Sequence, residues 1–170
     1  MKIGILSDSH HKNDYLKECI EFLKKENCEY LIHAGDICSK DGLDILKDSN
    51  LKYIVVFGNN DRDLSQFAQD YNIKKEPYYF KIKDKSFKLM HLPFHLHPDT
   101  DIIIFGHTHK FDCEYKNKKL FINPGEVCAR EKPIISCAKL EINTNEYIIT
   151  HYFKNTNENN FMKEEFRYEQ

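Results

Sequence analysis

Two histidines one residue apart, His107 and His109, offer the clearest chemistry in this sequence. They follow the apolar run 102–105 and Gly106. That run is short, β-branched and bounded by a charge and a glycine, so it predicts a buried strand. Imidazole nitrogens bind divalent metal ions and also move protons. A single histidine is more often a surface or hydrogen-bonded core residue, so the pair indicates a site only if other segments supply partners.

Four other apolar runs end in the same way, with a potential metal ligand at or just after the end of the run. In chain order, the five runs lead to Asp8 and His10, to Asp36, to Asn59, to His91, and to His107 and His109. Carboxylate, imidazole and amide oxygen together suit Mn²⁺, Fe²⁺, Ni²⁺ or Zn²⁺. Seven ligands exceed the four of one tetrahedral ion, so the set predicts two ions that share a carboxylate. Two such ions promote in-line displacement at phosphorus, which indicates phosphoester hydrolysis.

The first third of the chain alternates strand and helix patterns. Apolar residues at helical spacing predict a helix that buries Leu16, Cys19, Ile20 and Leu23. Asn13-Asp14 is its predicted cap, and shorter helices are predicted over 42–48 and over 63–70, the latter capped by Asp63. The β-α-β-α-β order favours parallel strands flanked by helices, with a site beyond the carboxyl ends of the strands.

The second half is predicted to be β-rich. Three pairs of strand-like segments flank turns at 84–85, 117–118 and 143–145, which predicts three hairpins and either a mixed sheet or two stacked sheets. The polar tail from about residue 155 predicts a frayed helix or disorder. We expect residues 1–170 to form a single domain, because this length supports one core.

Composition excludes several classes of protein. The longest apolar runs have about four residues, so we expect neither a transmembrane helix nor a secretory signal. A cytoplasmic location is therefore expected. Twenty-five basic and 27 acidic residues are mixed along the chain, so no basic stripe indicates a nucleic-acid partner. The six cysteines are scattered without a C-x-x-C pair, and we interpret them as free thiols.

Five motifs in a fixed order resemble the signature of the calcineurin-like metallophosphoesterase superfamily. They are Asp8-x-His10, Gly35-Asp36, Gly58-Asn59-x-Asp61, His91 and Gly106-His107-x-His109. The resemblance extends from residue 3 to about residue 130 and includes the loop Asn123-Pro124-Gly125. Chain length and the forms GDI, GNND, GHTH and NPG are most similar to the small YfcE-type phosphodiesterases of bacteria and archaea. This resemblance implies an α/β (α+β) fold, a four-layer αββα sandwich of two mixed β-sheets flanked by helices.

The resemblance also implies how the ligands divide between two ions. One ion would take Asp8, His10, Asp36 and His109; the other would take Asp36, Asn59, His91 and His107, with Asp36 shared. A hydroxide between the ions would attack phosphorus, and Asn59, Asp61 and His91 would be the catalytic residues. We expect Mn²⁺, with Ni²⁺, Fe²⁺, Zn²⁺ or Mg²⁺ as alternatives. The implied partners are a small phosphoester substrate and further copies of the chain, as a homodimer or homotetramer.

Three positions depart from the family pattern or leave a choice open. Asn60 stands where many members carry a histidine that assists the leaving group, so no general acid is assigned. Only 15 residues separate His91 from His107, and either His95 or His97 would be an alternative ligand. We prefer His91 because it directly ends a strand. Arg130 would either bind a phosphate oxygen or lie on the surface.

A scaffold is the alternative function. The retromer subunit that resembles this superfamily indicates that the fold can serve as a protein-binding module with a degraded, metal-poor site. No ligand position is lost in this sequence, so a metal-dependent phosphodiesterase remains the preferred hypothesis.

Overall fold

Two β-sheets pack face to face in the computed structural model, which describes residues 1–170. The strands of the first half are β1 (Lys2–Leu6), β2 (Tyr30–His33), β3 (Lys52–Val56), β4 (Ile73–Lys74), β5 (Tyr78–Ile82) and β6 (Lys85–Leu89). Those of the second half are β7 (Ile102–Ile104), β8 (Phe111–Lys116), β9 (Lys119–Pro124), β10 (Ile134–Ile142), β11 (Glu146–Asn155) and β12 (Met162–Glu169). The helices are α1 (Asn13–Lys25), α2 (Lys40–Asp48) and a 3₁₀ helix (Arg62–Phe67).

The first sheet has seven strands in the order β12-β11-β10-β1-β2-β3-β4. Strands β1 to β4 are parallel neighbours, as the β-α-β-α-β pattern predicts, and β10 to β12 continue the sheet antiparallel. Helices α1 and α2 cover its outer face, where the apolar stripe of α1 is fully buried. Neither helix has the length and apolar character needed to cross a bilayer.

The second sheet has five strands in the order β5-β6-β7-β9-β8, with β6, β7 and β9 parallel at its centre. Alternate residues of both sheets, among them Ile3, Ile5, Phe87 and Ile104, fill the core between them. The three predicted hairpins are confirmed. The first turns one residue earlier than expected, because Ile82 pairs with Lys85.

The predicted class, two mixed sheets with few helices, is confirmed, but the fourth layer is not helical. Both α-helices and the 3₁₀ helix bury their apolar residues on the first sheet. On the outer face of the second sheet, Lys88 is fully buried, and its Nζ donates to the carbonyls of His95 (2.9 Å) and His97 (2.6 Å) and pairs with Asp99 (2.5 Å). The segment between β6 and β7 therefore takes the place of an outer helix.

Two local predictions about helices are wrong. Helix α1 begins at Asn13 with no side-chain cap, because the Asn13 Oδ1 accepts from the Ser39 hydroxyl at 3.0 Å instead. Ser39 in turn caps α2 by accepting from the Gly42 N–H. The helix predicted over 63–70 is the shorter 3₁₀ helix, which follows Asp61, and Asp63 does not cap it.

The tail is a strand, contrary to the predicted frayed helix or disorder. Strand β12 pairs antiparallel with β11 over eight residue pairs. Phe166 and Tyr168 pack against the core between the sheets, while Lys163, Glu165 and Glu169 are exposed. Strand alternation is therefore present, but only two apolar side chains of β12 reach the core, because Met162 is exposed. The exposed charges protect the sheet edge from pairing with other chains.

Candidate metal centre

The seven predicted ligands meet at one edge of the sandwich. Strands β1, β2 and β3 lie side by side and parallel in the first sheet, and β6 and β7 do so in the second. Their carboxyl ends therefore deliver the loops that carry the ligands to a common place. The ligands are Asp8 and His10 after β1, Asp36 after β2, Asn59 after β3, His91 after β6, and His107 and His109 after β7.

Asp8, His10, Asp36 and His109 form the first group. His10 Nε2 lies 3.6 Å from Asp8 Oδ1 and 3.4 Å from Asp36 Oδ2. His109 Nε2 lies 3.3 Å from Asp8 Oδ1, and the two imidazole rings are stacked with centroids 5.3 Å apart. The sequence-predicted members of this set are thus brought together.

Asp36, Asn59, His91 and His107 form the second group. His91 Nε2 lies 3.0 Å from Asn59 Oδ1, 3.4 Å from Asp36 Oδ2 and 3.3 Å from His107 Nδ1. Asp36 Oδ2 therefore faces both groups, which is the position of a shared carboxylate.

The first group has electron-rich atoms facing one another. Asp8 Oδ1 is buried and has no hydrogen-bond partner. His109 Nδ1 lies 2.5 Å from Glu126 Oε2, so the proton of the neutral imidazole is on Nδ1 and is donated to Glu126. The lone pair of His109 is then on Nε2 and points toward Asp8 Oδ1. A carboxylate oxygen and a lone pair repel each other unless a cation lies between them, so this donor set fits a metal ion.

The second group has the same character. His91 Nδ1 donates to the Ala34 carbonyl at 2.8 Å, so the lone pair of Nε2 faces the oxygens of Asn59 and Asp36. Ligands about 2.1 Å from an ion lie roughly 3.0 Å apart in an octahedron and roughly 3.4 Å apart in a tetrahedron. The separations of 3.0 to 3.6 Å in both groups match these edges.

Both central carboxylates are held in their charged form. Burial raises the pKa of Asp36, but the adjacent His91 ring and the hydrogen bonds from Asn60 outweigh it and hold the pKa well below its usual range. Burial likewise opposes ionisation of Asp8, but the nearby His10 ring and the hydrogen bond from the Ser7 hydroxyl to Oδ2 leave its pKa lowered. Each carboxylate is therefore negative at neutral pH, as a metal ligand must be.

The backbone of the ligand loops is strained. Five of the seven ligands have left-handed backbone angles: φ is 54° at Asp8, 39° at His10, 55° at Asp36, 68° at His107 and 60° at His109. This region is uncommon for residues with a Cβ, and each such residue raises the free energy of the folded state by roughly 1–3 kcal/mol. Such strain concentrates at functional sites because the tight turns aim side chains to one point.

Glycines before the ligands leave room for those turns. A Cβ on Gly58 would lie 2.2 Å from Asp36 Oδ1. A Cβ on Gly106 would lie 2.1 Å from the Ser7 hydroxyl oxygen. The glycines of the G-N and G-H motifs are therefore required by close approach to ligand residues or their supports.

Asp61, predicted to be catalytic, has its carboxylate committed to the backbone. It is fully buried and accepts from the N–H groups of Asp36 (2.8 Å), Cys38 (2.7 Å) and Gly58 (2.7 Å). Burial raises the pKa of Asp61, and these donors only partly offset it. Its carboxylate ties the loop after β2 to the loop after β3, so it positions Asp36.

Sequence reasoning missed two supporting residues. Glu126 holds His109 through Oε2, while its Oε1 accepts from the N–H groups of Glu131 and Lys132. Asn60 holds Asp36, with its backbone N–H on Oδ1 (2.8 Å) and its side-chain amide on Oδ2 (2.7 Å). Glu126 directly follows the Asn-Pro-Gly turn, and this position was the sequence feature that could have identified it as a supporting residue.

The alternatives around His91 separate clearly. His91 is fully buried in the second group, whereas His95 and His97 are exposed in the segment anchored by Lys88. Arg130 reaches the first group, with Nη2 3.3 Å from His10 Nε2 and 3.4 Å from His109 Nε2. The Arg130 side chain is therefore exposed and also adjacent to two of the candidate ligands.

Comparisons with known proteins agree with this geometry. The family model of the calcineurin-like phosphoesterase superfamily domain matches residues 1–145. The chain belongs to this superfamily. It is 32% identical to the phosphodiesterase MJ0936 of Methanocaldococcus jannaschii, over 86% of this chain and 96% of that protein. The predicted recognition of the family is thereby confirmed, and membership implies binding of divalent metal.

Two solved structures extend the likeness. YfcE, a phosphoesterase from E. coli, has a TM-score of 0.67 at 21% identity, covering 86% of this chain and 91% of that one. Vps29 from Entamoeba histolytica, solved in complex with Zn²⁺, has a TM-score of 0.73 at 23% identity, covering 98% and 99%. At these identities the likeness concerns the fold.

We expect Asp61→Asn to destabilise the protein by about 2–4 kcal/mol. The amide replaces one acceptor oxygen by a donor, so at least one buried N–H loses its partner. Urea unfolding followed by circular dichroism measures the change. Asp63→Asn, an exposed neighbour in the 3₁₀ helix, is the matched control and should change stability by less than about 0.5 kcal/mol. Equal stability of the two variants would refute the positioning role of Asp61.

Proposed function

We propose that this protein is a metal-dependent phosphodiesterase with two divalent ions, Mn²⁺ first among them. The observation that carries the proposal is the unpartnered, buried Asp8 Oδ1 facing the lone pair of His109 Nε2, beside an equally electron-rich second group. The 32% identity to an archaeal phosphodiesterase supports the same activity. When bound, the two ions supply an activated water and positive charge for the phosphoryl oxygens.

The ligand roles follow the two groups. Asp8, His10 and His109 would hold the first ion, and Asn59, His91 and His107 the second. Asp36 would hold both, since its Oδ2 faces His10 and His91 at 3.4 Å each. Glu126 and the Ala34 carbonyl fix which imidazole nitrogen carries the lone pair, because they accept from His109 Nδ1 and His91 Nδ1.

An open groove of about 380 Å³ beside these groups would receive the phosphoester. Its lining has no hydrophobic side chain: Asp36, Asn59, Asn60, His107, Thr108, His109, Lys110, Arg130 and Glu131. Arg130 would donate to a phosphoryl oxygen, since its guanidinium already lies at the ligand nitrogens and has a fork of donors. Asn60 lines the same groove where many family members carry a histidine.

Hydrolysis of bis-p-nitrophenyl phosphate tests the activity. We expect turnover with added Mn²⁺, its loss with a chelator, and a fall of about 100-fold or more in Asp36→Asn, because the shared ligand loses its charge. Asp41→Asn, an exposed aspartate of α2, is the matched control and should behave as the wild type. Turnover that is indifferent to metal, chelator and Asp36→Asn would eliminate this function.

The Asn60 position supplies a second test. Without an imidazole there, expulsion of the leaving group has no proton donor, so rates should fall steeply as the leaving-group pKa rises. We expect Asn60→His to raise kcat/KM for phenyl phosphate, whose leaving group is poor, by about 10-fold and to raise it less for p-nitrophenyl phosphate, with Asn160→His as an exposed control. The measurement is a series of substituted phenyl esters, and a flat dependence in the wild type would contradict this account.

A scaffold remains the second candidate, because Vps29 shares the fold over nearly the whole chain. It would require the two groups to hold metal weakly and to leave phosphoesters unchanged. The same assay separates the candidates: metal-dependent turnover that disappears in Asp36→Asn belongs to an enzyme only.

A further inference from the structure

A second cavity, of about 510 Å³, opens next to the groove that carries the candidate metal centre. His109, Lys110 and Glu131 line both spaces, so a molecule seated at the metal centre can extend into the cavity. Its volume lies within the range of roughly 300–1,000 Å³ that is usual for small-molecule sites. Strands β8, β10, β11 and β12 form its walls.

Three rings of the lining, Phe111, His151 and Phe153, stack on one another and give the cavity an apolar side. The His151 ring stacks on Phe111 with centroids 3.9 Å apart and an interplanar angle of 9°. Phe153 stacks on His151 from β11 with centroids 4.9 Å apart, and Ile134 adds a further apolar surface. Such walls suit a planar ring, which gains contact area there at little conformational cost.

One buried acceptor in this cavity has no donor. The Ser136 hydroxyl donates to the Pro124 carbonyl at 2.7 Å, so it accepts from His151 Nε2 at 2.8 Å. His151 Nδ1 therefore carries the lone pair, and it is buried without a hydrogen-bond partner. Burial lowers the pKa of His151 to about 4, so the ring is neutral at neutral pH. An unpaired buried acceptor destabilises the protein, and a ligand N–H would remove that penalty.

The charges around the cavity point to a neutral ligand group. Glu164 Oε2 lies 3.9 Å from His151 Nδ1, so two acceptors stand side by side. The lining carries two lysines, Lys110 and Lys132, and three glutamates, of which Glu126 is already engaged by His109 and two backbone N–H groups. Glu131 and Glu164 match the two lysines in number, so the lining has no excess of positive charge for a second phosphate. A planar, uncharged group that offers N–H donors at its edge satisfies both the walls and the paired acceptors.

We propose that this cavity binds one ester arm of the substrate, a nucleoside whose base carries an exocyclic amino group. The amino group would donate to His151 Nδ1 and Glu164, and the base would lie against the aromatic walls. This inference rests on the proposed phosphodiesterase function for its place in the reaction. His151, Phe153 and Glu164 lie beyond residue 145, where the family match ends, so these walls are not part of the matched superfamily domain.

Binding of two nucleosides that differ only in the amino group tests the site. Adenosine and purine riboside are titrated by calorimetry against the wild type and against His151→Phe, which keeps the ring and removes the acceptor. We expect adenosine to bind the wild type about 5- to 10-fold more tightly than purine riboside, and this preference to vanish in His151→Phe. His97→Phe, the same change at an exposed position, should keep it.

Glu164→Ala keeps the test decisive if His151→Phe fails to fold, because Glu164 is 59% exposed and its removal leaves the core intact. We expect this variant to lose about 3-fold in adenosine affinity and nothing in purine riboside affinity. Absence of adenosine binding, equal affinity for both nucleosides, or a preference that persists in His151→Phe and Glu164→Ala would overturn the proposal. Neither nucleoside contains phosphate, so their binding does not depend on the hydrolysis of bis-p-nitrophenyl phosphate. The nucleoside site and the phosphodiesterase function can therefore each be refuted separately.

Discussion

Mutual repulsion among the ligand atoms is the constraint on which the rest of the structure depends. The Asp8 and Asp36 carboxylates are buried beside imidazole nitrogens whose lone pairs face them at 3.3 to 3.4 Å. Such a cluster is unfavourable on its own, so the surrounding chain must hold it in place until cations are bound. Asp61 ties the loop of Asp36 through three backbone N–H groups, and Ser7 donates to Asp8 Oδ2.

The sandwich explains why two sheets are needed for one site. A single parallel sheet presents its strand ends in a row, whereas two packed sheets present ligands from opposite sides. Strands β1 to β3 supply carboxylates, His10 and Asn59 from the first sheet, and β6 and β7 supply three histidines from the second. Asp36 lies where both contributions meet, as its contact with His91 shows.

Much of this arrangement was predictable from local sequence. Each ligand directly follows a short β-branched run, and the turns after those runs contain glycine, so strand ends and ligands were visible together. The parallel first half and the three hairpins followed from the same periodicities. The choice of His91 over His97 rested on its place at a strand end, and the structure brings His91 alone into the cluster.

What could not be predicted depends on contacts between distant segments. The role of Asp61 is to accept from backbone groups, which no motif reveals. Glu126 contacts His109, 17 residues away in the chain. The cavity beside His151 is closed by β12, in which charged residues outnumber apolar ones, so its sequence showed too weak an alternation to predict a strand. A loop held by the buried Lys88 covers the outer face of the second sheet, where a helix was expected. The sequence could not show this, because a lysine in a strand normally indicates an exposed face.

Metal stoichiometry tests the central claim most directly. Chelator-treated protein titrated with Mn²⁺ by calorimetry should bind two ions per chain, His91→Ala should retain one, and His97→Ala should retain two. Asp36→Asn should weaken both ions together, because its Oδ2 faces both groups. Binding of no ion or a single ion by the wild type, or two ions with unchanged affinity in Asp36→Asn, would contradict a shared centre.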